Sequence, residues 1–176
     1  KVFLMVNVNN EWDRLREVFV GTAEYANNPM KGKDLHSINY AHKNNIDDVY
    51  KGYYPEQVIE ETKEDLAVLC QALKSFFNIK VRRMKPNKNH KTFKTQDWVS
   101  DGYYSFCPRD SVTVIGDTII ESPMTLRSRY FETLGFRDQF IEYMKDGARW
   151  VSAPKPKLTD DNYQRDNLDK LTLTNI

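Results

Sequence analysis

A chain of 176 residues with 40% apolar and 29% charged residues can form one domain with a buried core, which argues against a disordered segment. Lys plus Arg number 26 against 25 Asp plus Glu, so the net charge favours neither a nucleic acid nor a membrane surface as partner. Two cysteines are too few for a disulfide framework and no apolar run reaches membrane-span length, so a reducing cytoplasm is the expected compartment.

Residues 1–8 are apolar with weak alternation and read as a strand; no small-residue cleavage site follows to make them a signal peptide. The chain opens on Lys1 rather than Met, so an upstream start is expected. A polar turn at 9–13 precedes 16–21, a short buried strand ending at Gly21. Residues 25–54 are rich in Asn, Asp, Lys and Tyr without periodicity and read as a long surface excursion.

From 55 to 77, Val58, Ile59, Leu66, Leu69, Cys70, Leu73 and Phe76 recur at helical spacing. Glu56, Glu60, Glu61, Glu64 and Asp65 fill the other side and load the first half with negative charge, which suits the helix dipole. Pro55 fits a first turn and Asn78 a left-handed stop, so a helix is predicted here, with a strand following over 79–84. Residues 111–115 and 118–121 flank Gly116-Asp117 and predict a hairpin with a two-residue turn.

Residues 125–146 carry Leu126, Tyr130, Phe131, Leu134, Phe140, Ile141 and Met144 as an apolar stripe and predict a second helix. Gly135 is its point of division and Gly147 its end, and a strand over 148–153 comes next. Each helix is thus followed at once by a short strand, which predicts an internally repeated α/β architecture. Beyond Pro154-Lys155-Pro156 the chain turns polar, and the alternation at 171–176 reads as a strand cut short.

Cys70 lies on the stripe of the first helix and reads as a buried structural thiol. Cys107 has no histidine near it in sequence to activate it, so a structural role outweighs a catalytic one. His36, His42 and His90 occur in polar loops without metal-ligand spacing and read as solvated side chains. The basic residues Lys80, Arg82, Arg83, Lys85, Lys88, Lys91 and Lys94 have only Phe93 and Trp98 as nearby aromatics. They read as a solvated strand edge and loop, offset by the acidic helix before them, rather than as a nucleic-acid surface. Asp110 is the strongest candidate site residue. A carboxylate at the mouth of the hairpin, placed by Pro108, can accept paired hydrogen bonds from a planar guanidinium. On the residues alone, a turn or salt-bridge Asp with Arg109 as its partner is the more frequent outcome.

Several stretches then occur in a recognisable order. They are Asn10-Glu11-Trp12-Asp13, Glu17-Val18-Phe19-Val20-Gly21, Val81-Arg82-Arg83 and Tyr104-Ser105-Phe106-Cys107-Pro108-Arg109-Asp110. Gly116-Asp117-Thr118-Ile119-Ile120-Glu121-Ser122-Pro123-Met124 follows, then Arg127-Ser128-Arg129-Tyr130-Phe131-Glu132, Gly147-Ala148-Arg149-Trp150 and Ala153-Pro154-Lys155-Pro156. Together they resemble the amidinotransferases, the family of arginine:glycine amidinotransferase and of the inosamine-phosphate amidinotransferases of antibiotic and toxin biosynthesis.

The resemblance implies the pentein fold, five ββαβ units around a pseudo-fivefold axis. Residues 1–176 would form the N-terminal part of that single catalytic domain and hold about two units. It also implies ping-pong transfer of an amidino group from arginine to an acceptor amine through a Cys-amidino intermediate. Asp110, the Asp of the family's Pro-Arg-Asp motif, would hold the substrate guanidinium. No cofactor or metal is implied. The partners would be small molecules, arginine and the acceptor amine, with neither nucleic acid nor membrane, and with a homodimer as one assembly. The nucleophilic cysteine, the proton-transfer histidine and a supporting aspartate belong to later motifs of the family; Cys70 and Cys107 do not match the nucleophile. This chain by itself is then expected to be inactive. Two alternatives stand beside this reading: an arginine deiminase or guanidino hydrolase of the same fold, and a truncated, non-catalytic domain that binds guanidino compounds or a partner chain.

Overall fold

The computed structural model describes residues 6–163, so the strands expected at the start of 1–8 and over 171–176 lie outside the described residues. In chain order the first elements are β1 (Glu17–Val20), β2 (Asn27–Asn28), α1 (Lys33–Asn39) and β3 (Gly52–Tyr53). Next come α2 (Glu56–Phe77), β4 (Lys80–Arg83), β5 (Phe93–Lys94), β6 (Val99–Ser100) and α3 (Pro108–Ser111). β7 (Val112–Ile115), β8 (Thr118–Glu121), α4 (Arg137–Lys145) and β9 (Arg149–Ser152) complete the set. Among the described residues, four small sheets, β1–β4, β2–β3, β5–β6 and β7–β8–β9, make this a mixed α/β arrangement.

Two of these sheets share a plan. β1 and β4 are parallel, with Glu17 opposite Lys80, and α2 lies between them in the chain. β8 and β9 are also parallel, with Thr118 opposite Arg149, and α4 lies between them. Parallel neighbours need a crossover of this kind, so the recurrence of helix and short strand in the sequence corresponds to two strand–helix–strand units. The hairpin of β7 and β8 turns where expected, with Ile115 opposite Thr118. Gly116 sits there at φ 57, a left-handed conformation that glycine adopts without a Cβ penalty. The two units are joined where Val8 and Gly116 exchange backbone hydrogen bonds of 2.9 and 2.6 Å.

α2 follows the sequence closely, from Pro55 at its cap to Asn78 at φ 52, but the predicted stripe is only partly covered, with Ile59, Leu66 and Leu73 half-buried on the face of Cys70. Cys70 is its only fully buried residue, while Val68, Leu69, Phe76 and Phe77 are exposed, Phe76 to 82%. The predicted helix over 125–146 is corrected more deeply. Arg127–Arg129 and Glu132–Phe136 are 3-10 turns, and only Arg137–Lys145 is α-helical. Tertiary bonds take the place of the helical ladder: Asp34 accepts from the Arg127 amide at 3.0 Å, and Gly135 accepts from the Lys85 amide at 2.9 Å. Gly135 fits because a Cβ there would collide with the Met84 side chain and the Lys85 carbonyl.

Residues 25–54 are not a surface excursion. They contain β2, α1, β3 and a 3-10 turn at Ile46–Asp48, and Ala26, Pro29, Leu35 and Val49 are buried. Leu35 forms an apolar cluster with Tyr103 and Leu126. A larger cluster lies between the two units, where Val6, Met84, Ile119, Phe136, Phe140, Tyr143 and Ala148 pack with Phe19 and Trp150 at their edge.

The basic stretch is offset, but not by the acidic helix before it. Lys80 and Arg82 pair with Glu17 of β1, Arg82 also with Glu142 and Lys85 with Asp138 of α4. Burial raises the Glu17 carboxyl, but the Tyr143 hydroxyl at 2.5 Å, then Arg82 and Lys80, more than reverse this, so it titrates below its ordinary value. A depressed carboxyl contributes stability that is present above its unfolded pKa and lost as pH falls through the lower folded one. Glu17→Gln is therefore expected to destabilise the protein by about 2 kcal/mol at pH 7, the scale of hydrogen bonds to a charged group. Urea unfolding of the two forms should converge as the pH falls below about 4; an equal gap at pH 3 and pH 7 would rule out an electrostatic origin.

Candidate functional site

Asp110 owes its position to β1 and to a proline. The chain after β1 is pinned to the segment before α3 by the Thr22 amide, which donates to the Ser105 carbonyl at 2.9 Å. Gly21 permits that approach, since a Cβ there would overlap the backbone of Ser105 and Phe106. Pro108 then starts the one-turn helix α3, in which the Asp110 amide donates to the Cys107 carbonyl at 3.3 Å. A proline is tolerated at a helix start because its missing N–H has no partner to lose there. Asp110 thus stands one residue ahead of β7's buried neighbour Ser111, with half of its own side chain exposed.

Its partner is not Arg109, which reaches outward to Glu11 across a solvent-exposed pair of 3.1 Å. Asp110 Oδ2 instead accepts from Arg129 Nη1 at 2.8 Å. Arg129 is 7% exposed, and nearly all of its donors are used. Its Nε and Nη2 donate to the two oxygens of Glu132 at 2.5 and 2.9 Å, and Nη2 also reaches the Cys107 carbonyl at 3.4 Å. The guanidinium lies over the Tyr104 ring at 5.2 Å, and Tyr104 stacks on Phe106 with centroids 4.2 Å apart.

The charges in this group do not cancel. Two carboxylates face one guanidinium, and the buried Glu132 engages it through both oxygens. Burial pulls the Arg129 guanidinium down, yet the hydrogen bond and charge of Glu132, followed by Asp110, hold it above its ordinary value. Among the described residues, no hydrogen bond reaches Asp110 Oδ1. The arrangement can therefore receive a second planar cation at a half-exposed carboxylate whose geometry is already set. Arg129, Glu132 and Tyr104 escaped the reading of individual residues. The signal that could have found the first two is an Arg and a Glu three residues apart.

The remaining candidates lie elsewhere. Cys70 is buried on α2, where Arg83 Nη1 approaches its sulfur at 3.5 Å. Burial, and then the charge of Asp110, push the Cys107 thiol up, the direction opposite to that of an activated nucleophile. His36 is on α1 rather than in a loop, with Nε2 2.9 Å from the Lys43 carbonyl. His42 lies beside Tyr40, and His90 between Tyr25 and Tyr53. Among the described residues, no group of three or more His, Cys, Asp or Glu side chains could hold a metal ion, and no helix is long and apolar enough to cross a membrane.

No protein-family model matches the chain. Individual proteins do. It is 44% identical over 160 residues to inosamine-phosphate amidinotransferase 1 of Streptomyces griseus, a match that covers 90% of this chain and 46% of that protein. It is 35% identical over 162 residues to the mitochondrial glycine amidinotransferase of Danio rerio, covering 92% of this chain and 38% of that protein. The solved structure of the Streptomyces griseus inosamine-phosphate amidinotransferase superposes with a TM-score of 0.86 over 90% of this chain and 45% of its own. That of an amidinotransferase from the saxitoxin biosynthetic pathway of Microseira wollei, 38% identical, gives 0.80 over 92% of this chain and 45% of its own. The chain spans about half the length, or less, of the relatives it matches. In sequence and in fold, this chain is a homologue of the amidinotransferases and corresponds to their N-terminal part.

Proposed function

We propose that the full-length protein transfers an amidino group from arginine to an acceptor amine, with Asp110 holding the donor's guanidinium. The observation that carries this reading is the half-exposed Asp110 carboxylate, whose Oδ2 is held by an arginine that Glu132 already engages through both oxygens. Carboxylates bind guanidinium groups through charge-assisted, often paired hydrogen bonds. Among the described residues nothing bonds Asp110 Oδ1, which leaves that oxygen and a negative charge for the donor.

In this reading a cysteine thiolate attacks the guanidino carbon, and the bond from that carbon to the ornithine nitrogen breaks. A histidine protonates the leaving amine. The acceptor amine then attacks the enzyme-bound amidino carbon, gives its proton to the same histidine and releases the thiolate. Cys107, its thiol pushed up, and Cys70, buried against Arg83, are unsuited to that attack. We assign the nucleophilic cysteine, the histidine and its supporting aspartate to residues outside 1–176. We also assign the segment to the pentein architecture, with β1–α2–β4 and β7–β8–α4–β9 as two of its units.

The test is a labelling experiment. Full-length protein incubated with guanidino-labelled arginine and no acceptor should retain covalent label and release unlabelled ornithine. Label that appears only in citrulline or urea would mark water as the attacking group and favour the hydrolase alternative. Absence of both label and product would leave a binding domain.

A further inference from the structure

We propose that Arg129 and Glu132 are positioning residues for guanidinium recognition, a buried pair that orients Asp110 without spending its charge. The proposal rests on the reading of Asp110 as the substrate clamp. A cation 2.8 Å from Asp110 Oδ2 would, taken alone, compete with a substrate guanidinium for the same charge. Glu132 removes that competition. It meets Arg129 through both oxygens, is 5% exposed, and lies three residues along the chain, at the start of the next 3-10 turn. The two carboxylates and one guanidinium sum to a single negative charge, which falls on the only exposed member, Asp110.

The orientation is as specific as the charge. Arg129 ties Asp110 Oδ2 and the Cys107 carbonyl at the two ends of the turn that carries the Pro-Arg-Asp sequence, and the Tyr104 ring lies against the guanidinium face. Asp110 Oδ1 is thus presented from a turn that cannot rotate freely. A lysine does not offer the planar fork that meets Asp110, Glu132 and the Cys107 carbonyl together.

Charge bookkeeping separates this role from a merely structural one. In Glu132→Gln the amide retains a hydrogen bond to Arg129 but no longer offsets its charge. The arginine concentration giving half-maximal amidino labelling should rise about tenfold, as expected when an uncompensated like charge sits beside a bound ion, with the limiting rate much less affected. In Arg129→Gln/Glu132→Gln both charges are gone and Asp110 regains its own, so half-saturation should fall back at least about threefold from the single variant. A structural role predicts the double variant to be no better than the single one.

A half-saturating concentration that rises less than about threefold in a folded Glu132→Gln protein, or a double variant no tighter than the single, overturns the proposal. If Glu132→Gln does not fold, the double variant decides: half-saturation within about tenfold of wild type supports the proposal, and loss of labelling refutes it. Asp110→Asn is the control for the underlying reading. If it labels normally, that reading has failed; if it alone fails to label, only the positioning role has.

Discussion

Asp110→Asn in the full-length protein is expected to lower amidino labelling at limiting arginine by about a hundredfold, or about 3 kcal/mol, while leaving the fold intact. Asparagine keeps the shape and one acceptor oxygen. It removes the charge and points an N–H₂ group at donors that need acceptors, so the substrate guanidinium meets a neutral and partly mismatched partner. The fold should tolerate the change because half of the Asp110 side chain is exposed and Arg129 keeps its contacts with Glu132. The amide oxygen of asparagine can still accept from Arg129, so the half-buried pair loses its charge but not its hydrogen bond. The comparison requires single-turnover labelling together with a melting curve. A loss below about tenfold with an unchanged melting temperature would remove Asp110 from the binding site.

Phe140→Ala should have the largest effect on stability, about 3–5 kcal/mol, because it deletes a ring from the centre of the larger core. Phe140 is 2% exposed. It stacks on Phe136 at 5.5 Å and meets the edges of Trp150 at 5.4 Å and Phe19 at 6.4 Å. Those partners come from α4's own approach, from β9 and from β1, so the cavity would open between the two strand–helix–strand units. Rigid aromatic neighbours on several sides leave little scope for collapse. Thermal unfolding should fall by about 10 °C, given the entropy of unfolding of a chain this size. A drop of less than about 2 °C would mean that the neighbours close over the gap and that the interface between the units is softer than its packing suggests.

The two variants act on different parts of one arrangement. Phe140 holds the units together, whereas Asp110 is carried on a turn pinned to the end of β1 through Thr22 and Gly21. Phe19, one residue before the end of β1, packs on Phe136, Phe140 and Tyr143. A short strand therefore contributes both to the core and to the placement of the candidate clamp.

By itself the sequence determined the elements whose signals are local. The helix of Glu56–Phe77, its Asn78 stop and the Gly116-Asp117 hairpin follow from periodicity, caps and a glycine turn, all read within a few residues. The ordered motifs likewise identified the amidinotransferase relationship without any coordinates. Apolar spacing misled over 125–146 because hydrogen bonds to Asp34 and from Lys85, both distant in the chain, outcompeted the helical ladder. It also marked a stripe on α2 that is only partly covered, with Ile59, Leu66, Cys70 and Leu73 turned inward and Val58, Leu69 and Phe76 exposed. Only the tertiary structure decided that Asp110 pairs with Arg129 rather than Arg109, and that Glu132 meets that same guanidinium through both oxygens. The reason is physical. Which charge remains available depends on which of its neighbours are taken out of water, and burial is a property of the folded chain rather than of any stretch within it.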